Sequence, residues 1–465
     1  NLHFKIHLKK LQKQYYNLFH HNLTLHEIRT KDEHRIHCRM TSLLFYSCTL
    51  SLAILLHPSP ADIAVSTLDI ASDSQVNNLA GVNNNNNNNK RKLTTRIYRE
   101  LHRLNKPPVK TIQSLDGDLI DCVLSTSQPA FDHPLLKNHT IERPPAILKN
   151  FKSGTLLTQK QIWHESGECP IGTIPVRRTL AKDILQAGSI HNYRKKKGGL
   201  SAVPKPSSAT ILQSSHEHAI AYMQGNAYNG AQVTMNVWSP SVEVASEFSL
   251  SQIWVLAGSF TSDLNSIEAG WQVSPDLYGD NNPRFFTYWT ADGYQTTGCY
   301  NLLCSGFVQT SNAVAIGAAI SPVSSYGGSQ YDMHVLIWKD PLTGHWWMLL
   351  GESTIVGYWP AFIFTHLAGS ASLLEWGGEV VNSKPHGNHT TTVMGSGQFA
   401  EAGYGEASYM RNIEFVDSTN VLRSVVAGLQ TFAEHPNCYD IQSGSNSAWG
   451  NFFYYGGPGQ NPNCP

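Results

Sequence analysis

Residues 266–273 read Ser266-Ile267-Glu268-Ala269-Gly270-Trp271-Gln272-Val273. Every second residue is apolar. Ile267, Ala269, Trp271 and Val273 fall on one face of an extended strand, and Glu268, Gly270 and Gln272 share the other. Such a strand fits a sheet packed on one side. On the other side it sets an acid beside a glycine, leaving room for a ligand to approach. Gln272, on the acid's face, is placed to hold a water or a peptide carbonyl. The competing reading of Glu268 is a solvent-facing strand glutamate, and the pattern alone does not separate the two.

The same texture continues on both sides. From 210 to 465 charged residues are sparse, Gly, Ser, Trp and Tyr are frequent, and alternating segments recur at 252–260, 284–290 and 312–320. Segments 331–339 and 345–352 flank Asp340-Pro341-Leu342-Thr343-Gly344, a hairpin signal. The expected fold class is all-β: two packed antiparallel sheets forming a sandwich over 210–465. Cys299 and Cys304 would close a tight loop, and Cys438 and Cys464 would pin a glycine- and proline-rich tail.

No G-x-S-x-G elbow, H-E-x-x-H motif or nucleotide-binding glycine loop occurs, and the cysteine and histidine spacing matches no zinc site. No metal or cofactor is expected. Paired carboxylates remain. Glu379, in Glu375-Trp376-Gly377-Gly378-Glu379, is a partner candidate for Glu268. Glu375 shares its face four residues away, about 13 Å along a strand, so only one of the two should meet Glu268; Glu352 is a third candidate. Among many aromatics, Trp271, Trp289 and Trp376 are candidates to line a peptide groove, against the plainer reading that they are core.

Upstream, residues 1–39 read as an extension before Met40. Residues 40–64 read as a signal peptide, and 65–108 as a disordered linker with an asparagine run at 83–89 and a short basic helix near its end. Residues 109–190 read as a small α+β unit closed by Cys122 and Cys169. Residues 191–209, with Arg194-Lys195-Lys196-Lys197-Gly198-Gly199, read as an exposed, cleavable connector. No later apolar run is long enough to span a membrane. Asn138 and Asn388 begin glycosylation triplets in a chain expected to be secreted. Residues 65–209 hold 21 Lys and Arg against 11 Asp and Glu, whereas 210–465 hold 5 against 19, net charges of +10 and −14. Two mutually attracting units are implied. The scattered basic residues lack the aromatic interleaving of a nucleic-acid interface.

Several stretches resemble the neprosin family of plant glutamic peptidases. They are 266–273, Arg284-Phe285-Phe286-Thr287-Tyr288-Trp289-Thr290, Thr297-Gly298-Cys299-Tyr300-Asn301, Gly357-Tyr358-Trp359-Pro360, Trp376-Gly377-Gly378-Glu379 and Gly405-Glu406-Ala407-Ser408-Tyr409. Gln128-Pro129-Ala130-Phe131-Asp132-His133-Pro134 and Cys169-Pro170-Ile171-Gly172 resemble the family's activation domain. The resemblance implies a β-sandwich endopeptidase cutting after proline at acid pH without a metal. It implies catalytic glutamates at Glu268 and Glu379, and disulfides Cys299–Cys304 and Cys438–Cys464. Such a pair should share one proton. The first assignment is Glu268 as base and Glu379 as acid, with the reverse left open, and Gln272 and Tyr288 are candidate partners of the water or oxyanion. The basic upstream unit would act as an intramolecular pro-domain over the cleft, released in acid and cut near Pro204 or Pro206. The expected partner is a peptide or protein substrate. The alternative function is an aromatic-rich sandwich that binds cell-wall carbohydrate; a glycosidase is a third.

Overall fold

The computed structural model describes residues 87–149, 160–196, 215–260, 262–385, 388–426 and 429–465. The expected extension at 1–39, the leader at 40–64 and connector residues 197–209 lie outside the described residues. The first part holds helix α1 (Asn87–Leu104), strands β1 (Pro108–Gln113), β2 (Leu119–Leu124), β3 (Lys160–Gln161) and β4 (Thr173–Arg177), and short helices α2 (Ala181–Gln186) and α3 (Ile190–Tyr193). Strands β1, β2 and β4 pair antiparallel, and the Cys122–Cys169 disulfide joins β2 to the loop before β4.

From β5 (His216–Tyr228) onward the regular elements are nearly all strands. There follow β6 (Gly230–Asn236), β7 (Ser249–Ala257), β8 (Asn265–Val273), β9 (Arg284–Thr290), β10 (Cys299–Tyr300), β11 (Val308–Gln309) and β12 (Ile320–Ser321). Next come β13 (Asp332–Lys339), β14 (Trp346–Leu350), β15 (Thr354–Trp359), β16 (Ala371–Val381) and β17 (Ser408–Val416). The last are β18 (Leu422–Ser424), β19 (Gln430–Ala433), β20 (Asp440–Asn446) and β21 (Gly450–Gly456). One sheet runs β10-β9-β8-β7-β16-β5-β19, and a second runs β11-β15-β14-β13-β6-β17-β21-β20 with β18 on β17. Their facing sides share one core: Ile267, Ala269 and Trp271 of β8 and Trp376 of β16 join Val233 and Met235 of β6 and Val335 and Ile337 of β13. This is the expected all-β sandwich. Both further disulfides, Cys299–Cys304 and Cys438–Cys464, are formed.

The other face of the first sheet is covered too. Ile97, Leu104, Ala181, Ile184 and Tyr193 of the upstream part pack with Phe248, Leu250, Trp254, Phe286 and Tyr288 in a second buried cluster. Hence every residue of β7, β8 and β9 is buried. The two parts meet through this apolar surface and through polar contacts across it. Arg284 of β9, which pairs with Asp118 at 2.5 Å, crosses the boundary as a buried ion pair.

Three expectations change. The short helix expected at the end of 65–108 starts earlier, at Asn87, and Ile97, Leu101 and Leu104 recur at helical spacing and dock on the sheet. Segment 312–320 is loop with isolated bridges rather than a strand. The Gln161 side chain takes the ladder's place there, bonding Ala315 through both its N–H and its C=O. Residues 191–196 of the connector are not exposed throughout: Lys196 is 5% exposed.

Candidate active site

The register of three neighbouring strands builds the site. Gln252 of β7 lies opposite Gly270 of β8 and Gly377 of β16. One row along, Trp254 lies opposite Glu268 and Glu375; one row the other way, Leu250 lies opposite Gln272 and Glu379. Glu268 and Glu379 thus stand at opposite corners around Gln252. The row between them carries only the Gln252 side chain, since its neighbours are glycines. Glu375 shares a row with Glu268, but the Trp254 indole stands between their strands. This is why Glu379, and not the nearer-looking Glu375, meets Glu268.

The glycines serve a different end from the one their sequence suggested. A Cβ at Gly270 would come within 2.0 Å of the Ser251 carbonyl oxygen. At Gly377, φ +154°, it would come within 2.2 Å of that of Ala219. They let the strands close up rather than hold open a hole.

The inner oxygens of the two acids converge. Gln252 Nε2 donates to Glu268 Oε2 and Glu379 Oε2, each at 3.3 Å. Lys196 Nζ donates to the same two atoms at 3.1 and 2.8 Å. One nitrogen the size of a water therefore reaches both carboxylates, and both are fully buried. Neighbouring contacts pin the lysine. Arg194 O accepts from Tyr300 N at 3.1 Å, and Lys195 Nζ donates to the carbonyls of Thr296, Thr297 and Gly298 at 2.8, 2.7 and 3.0 Å.

The outer oxygens differ in their company. Glu268 Oε1 accepts from the Tyr294 hydroxyl at 2.7 Å and the Ser266 hydroxyl at 2.8 Å, two neutral donors. Tyr294 has φ +65°, a conformation uncommon for a bulky side chain. Glu379 Oε1 instead meets His216 Nδ1 at 2.5 Å, and His218 Nε2 lies 3.9 Å from Glu379 Oε2. His218 Nδ1 is 2.9 Å from Glu434 Oε1. Burial alone would drive the Glu379 carboxyl up, but the Lys196 ammonium, the His216 hydrogen bond and His218 hold it down to about 2. Burial disfavours a charged His218, yet Glu434 and then Glu379 raise it to about 9.

Of the residues expected from sequence, Glu268, Glu379 and Tyr288 come together; Tyr288 lies opposite Glu268 on β9, its oxygen 3.5 Å from Lys196 N. Gln272 does not join them: its amide donates to Tyr278 at 2.8 Å. Trp271, Trp289 and Trp376 belong to the core between the sheets and line no groove. Each lies an odd number of residues from its neighbouring acid or strand mate, so alternation turns it to the opposite face. Gln252, Lys196, His216, His218, Ser266 and Tyr294 were not anticipated. Asn138 and Asn388 are exposed. Metal-binding atoms approach one another within 4.8 Å at His139, Glu142 and His345, at Glu217, His389 and His435, and at His389, Cys438 and Cys464, whose cysteines are spent in a disulfide. Neither Glu268 nor Glu379 is among them.

Residues 245–458 match the family model described as Neprosin, and residues 111–222 match the one described as Neprosin activation peptide. Among solved structures, the chain is similar to scytalido-glutamic peptidase with a peptide-based transition-state analogue. Identity is 11% and the TM-score 0.28, over 53% of this chain and 98% of that one. It is also similar to SCP-B, a member of the Eqolisin family of peptidases in complex with the tripeptide Ala-Ile-His, at 10% identity and a TM-score of 0.27, over 53% and 98%. Likenesses this distant transfer no residue roles.

Proposed function

This chain belongs to the neprosin family and is a peptidase carrying its own activation peptide, and from that premise we propose that it is a secreted glutamic endopeptidase made as a proenzyme. Glu268 and Glu379 activate the attacking water. The observation that carries the reading is the convergence of Glu268 Oε2 and Glu379 Oε2 on a single atom, Lys196 Nζ. In the active enzyme a water takes that place, and Gln252 Nε2 keeps the two oxygens facing it.

The surroundings divide the labour. Glu379, beside His216 and a charge-bearing His218, is the ionised partner and takes the water's proton as general base. Glu268, held by neutral hydroxyls, keeps the shared proton, polarises the scissile carbonyl and protonates the leaving amine. Of the two assignments the sequence left open, this is the second. The Tyr288 hydroxyl, released from Lys196 N, is placed to meet the developing oxyanion. Cleavage after proline and an acid optimum follow from the family resemblance. The aromatic face around Trp254, Phe286 and Tyr288 suits a flat proline ring.

Latency in this reading is substitution of the catalytic water by the Lys196 ammonium. The pairing depends on a carboxylate whose pKa is depressed. Its stabilisation is therefore complete above the ordinary carboxylate range near 4 and is lost only as pH falls through about 2. Mild acid alone leaves the plug seated, and cleavage within 197–214 is the activating step. The test is mass spectrometry of peptides released from a protein mixture by the connector-cleaved enzyme, with Glu268→Gln and Glu379→Gln alongside. Both variants should be folded and inactive, and cleavage retained by both would reject the dyad.

A further inference from the structure

Strand β16 carries a second glutamate on the dyad's face, and the reaction above does not use it. Glu375 is 0% exposed, and neither of its oxygens has a hydrogen-bond partner among the described residues. Burying an acid without partners is unfavourable. Such a group needs an explanation beyond packing. Its flanking positions are Tyr222 on β5 and Trp254 on β7, so it lies between a phenol and an indole. Leu373 and Ile220, on the same face, belong to the cluster that α1, α2 and α3 cover. The face that holds Glu375 is therefore one that is uncovered when the upstream part leaves.

We propose that Glu375 is the floor of a substrate subsite, separated from the dyad by Trp254, that takes a lysine or arginine side chain of the peptide. The inference rests on reading the dyad as a peptidase centre. An acid without donors of its own gains most from a cation, which supplies both the charge and the donors, and aromatic walls add a cation–π contribution. The protein already sets a cation beside this wall: Lys196 Nζ lies 5.9 Å from the Trp254 ring centroid. Burial keeps the Glu375 carboxyl well above the usual carboxylate range; His218 opposes this, and Glu434, Glu268 and Glu379 add to it. Burial thus favours the neutral form in the covered protein, and an incoming cation favours the carboxylate. Two strand spacings separate Glu375 from Glu268, roughly 10 Å, so the basic residue lies within about three positions of the scissile bond.

The experiment uses connector-cleaved enzyme and peptide pairs that differ only in lysine against norleucine, or arginine against citrulline, scanned through the positions around one cleaved bond. Wild type should favour the basic member at one position by about tenfold in kcat/KM. Glu375→Gln and the apolar Glu375→Met should each bring that ratio close to one. Equal cleavage of both members at every position, or a preference that persists in both variants, overturns the subsite while leaving the peptidase standing. Folded wild type that cleaves no peptide overturns the peptidase reading, and the subsite with it.

Discussion

Strand β16 treats two glutamates on one face in opposite ways. At Glu379 each oxygen has a partner, supplied by His216, Gln252 and Lys196. At Glu375, four residues earlier, neither oxygen has one among the described residues. Burial is complete in both cases, so the opposite pKa directions, lowered at Glu379 and raised at Glu375, come from neighbours and not from depth. Position along the strand decides the neighbours. Both acids flank the row of Gly270, Gln252 and Gly377, but Glu379 has Leu250 and His218 as its strand neighbours, whereas Glu375 has Trp254 and Tyr222. The same side chain is thereby held below the usual carboxylate range at one end and above it at the other.

That contrast can be broken most forcefully at the dyad. Glu379→Gln should lower kcat/KM of the cleaved enzyme by roughly 10²–10⁴-fold, with the circular dichroism spectrum unchanged. A loss of only a few-fold would mean that the well-partnered end is structural. Lys196→Met should leave the uncleaved proprotein able to hydrolyse a short peptide at a measurable fraction of the cleaved enzyme's rate, where wild-type proprotein has essentially none. Full latency in that variant would place the block elsewhere on the covering surface.

Smaller effects sharpen the comparison. His216→Asn removes one of the groups that depress Glu379, so the base should deprotonate at higher pH. The acid limb of kcat/KM in the cleaved enzyme should then move up by about one unit. Glu375→Met removes an unpartnered buried acid and should raise the proprotein's Tm by about 2–4 °C, read by calorimetry. A fall would show that Glu375 is satisfied in solution.

Much of the fold was legible because its signals are local. Alternation in 266–273 marks β8 within one residue, Arg284–Thr290 is found end to end, and the Asp340–Gly344 turn joins β13 to β14. Segment 312–320 misled because its apolar residues alternate while Gly317, at φ +92°, bends it away from extension. At the site, Glu268 and Glu379 could be named, but on residues alone Glu375 was an equal candidate. The choice depends on what stands opposite in β7, more than 100 residues earlier, and register between distant strands leaves no mark in either segment. Gln252 was hidden for the same reason. Lys196 was hidden in a run of like charges that reads as solvated. The tryptophans were misplaced for a different reason, because the alternation that faced Trp271 away from Glu268 was already in the sequence.

The apolar cover over the seven-stranded sheet also bears on how this protein can be produced. A recombinant product starting near Ser215 would fold with Phe248, Leu250, Trp254, Phe286 and Tyr288 facing water, a sticky patch on a nascent sheet. On the proposed reading the upstream part would shield this patch during folding as well as plug the site. The proposal therefore predicts a better yield of active enzyme from the longer chain cut in 197–214 than from a product starting near Ser215.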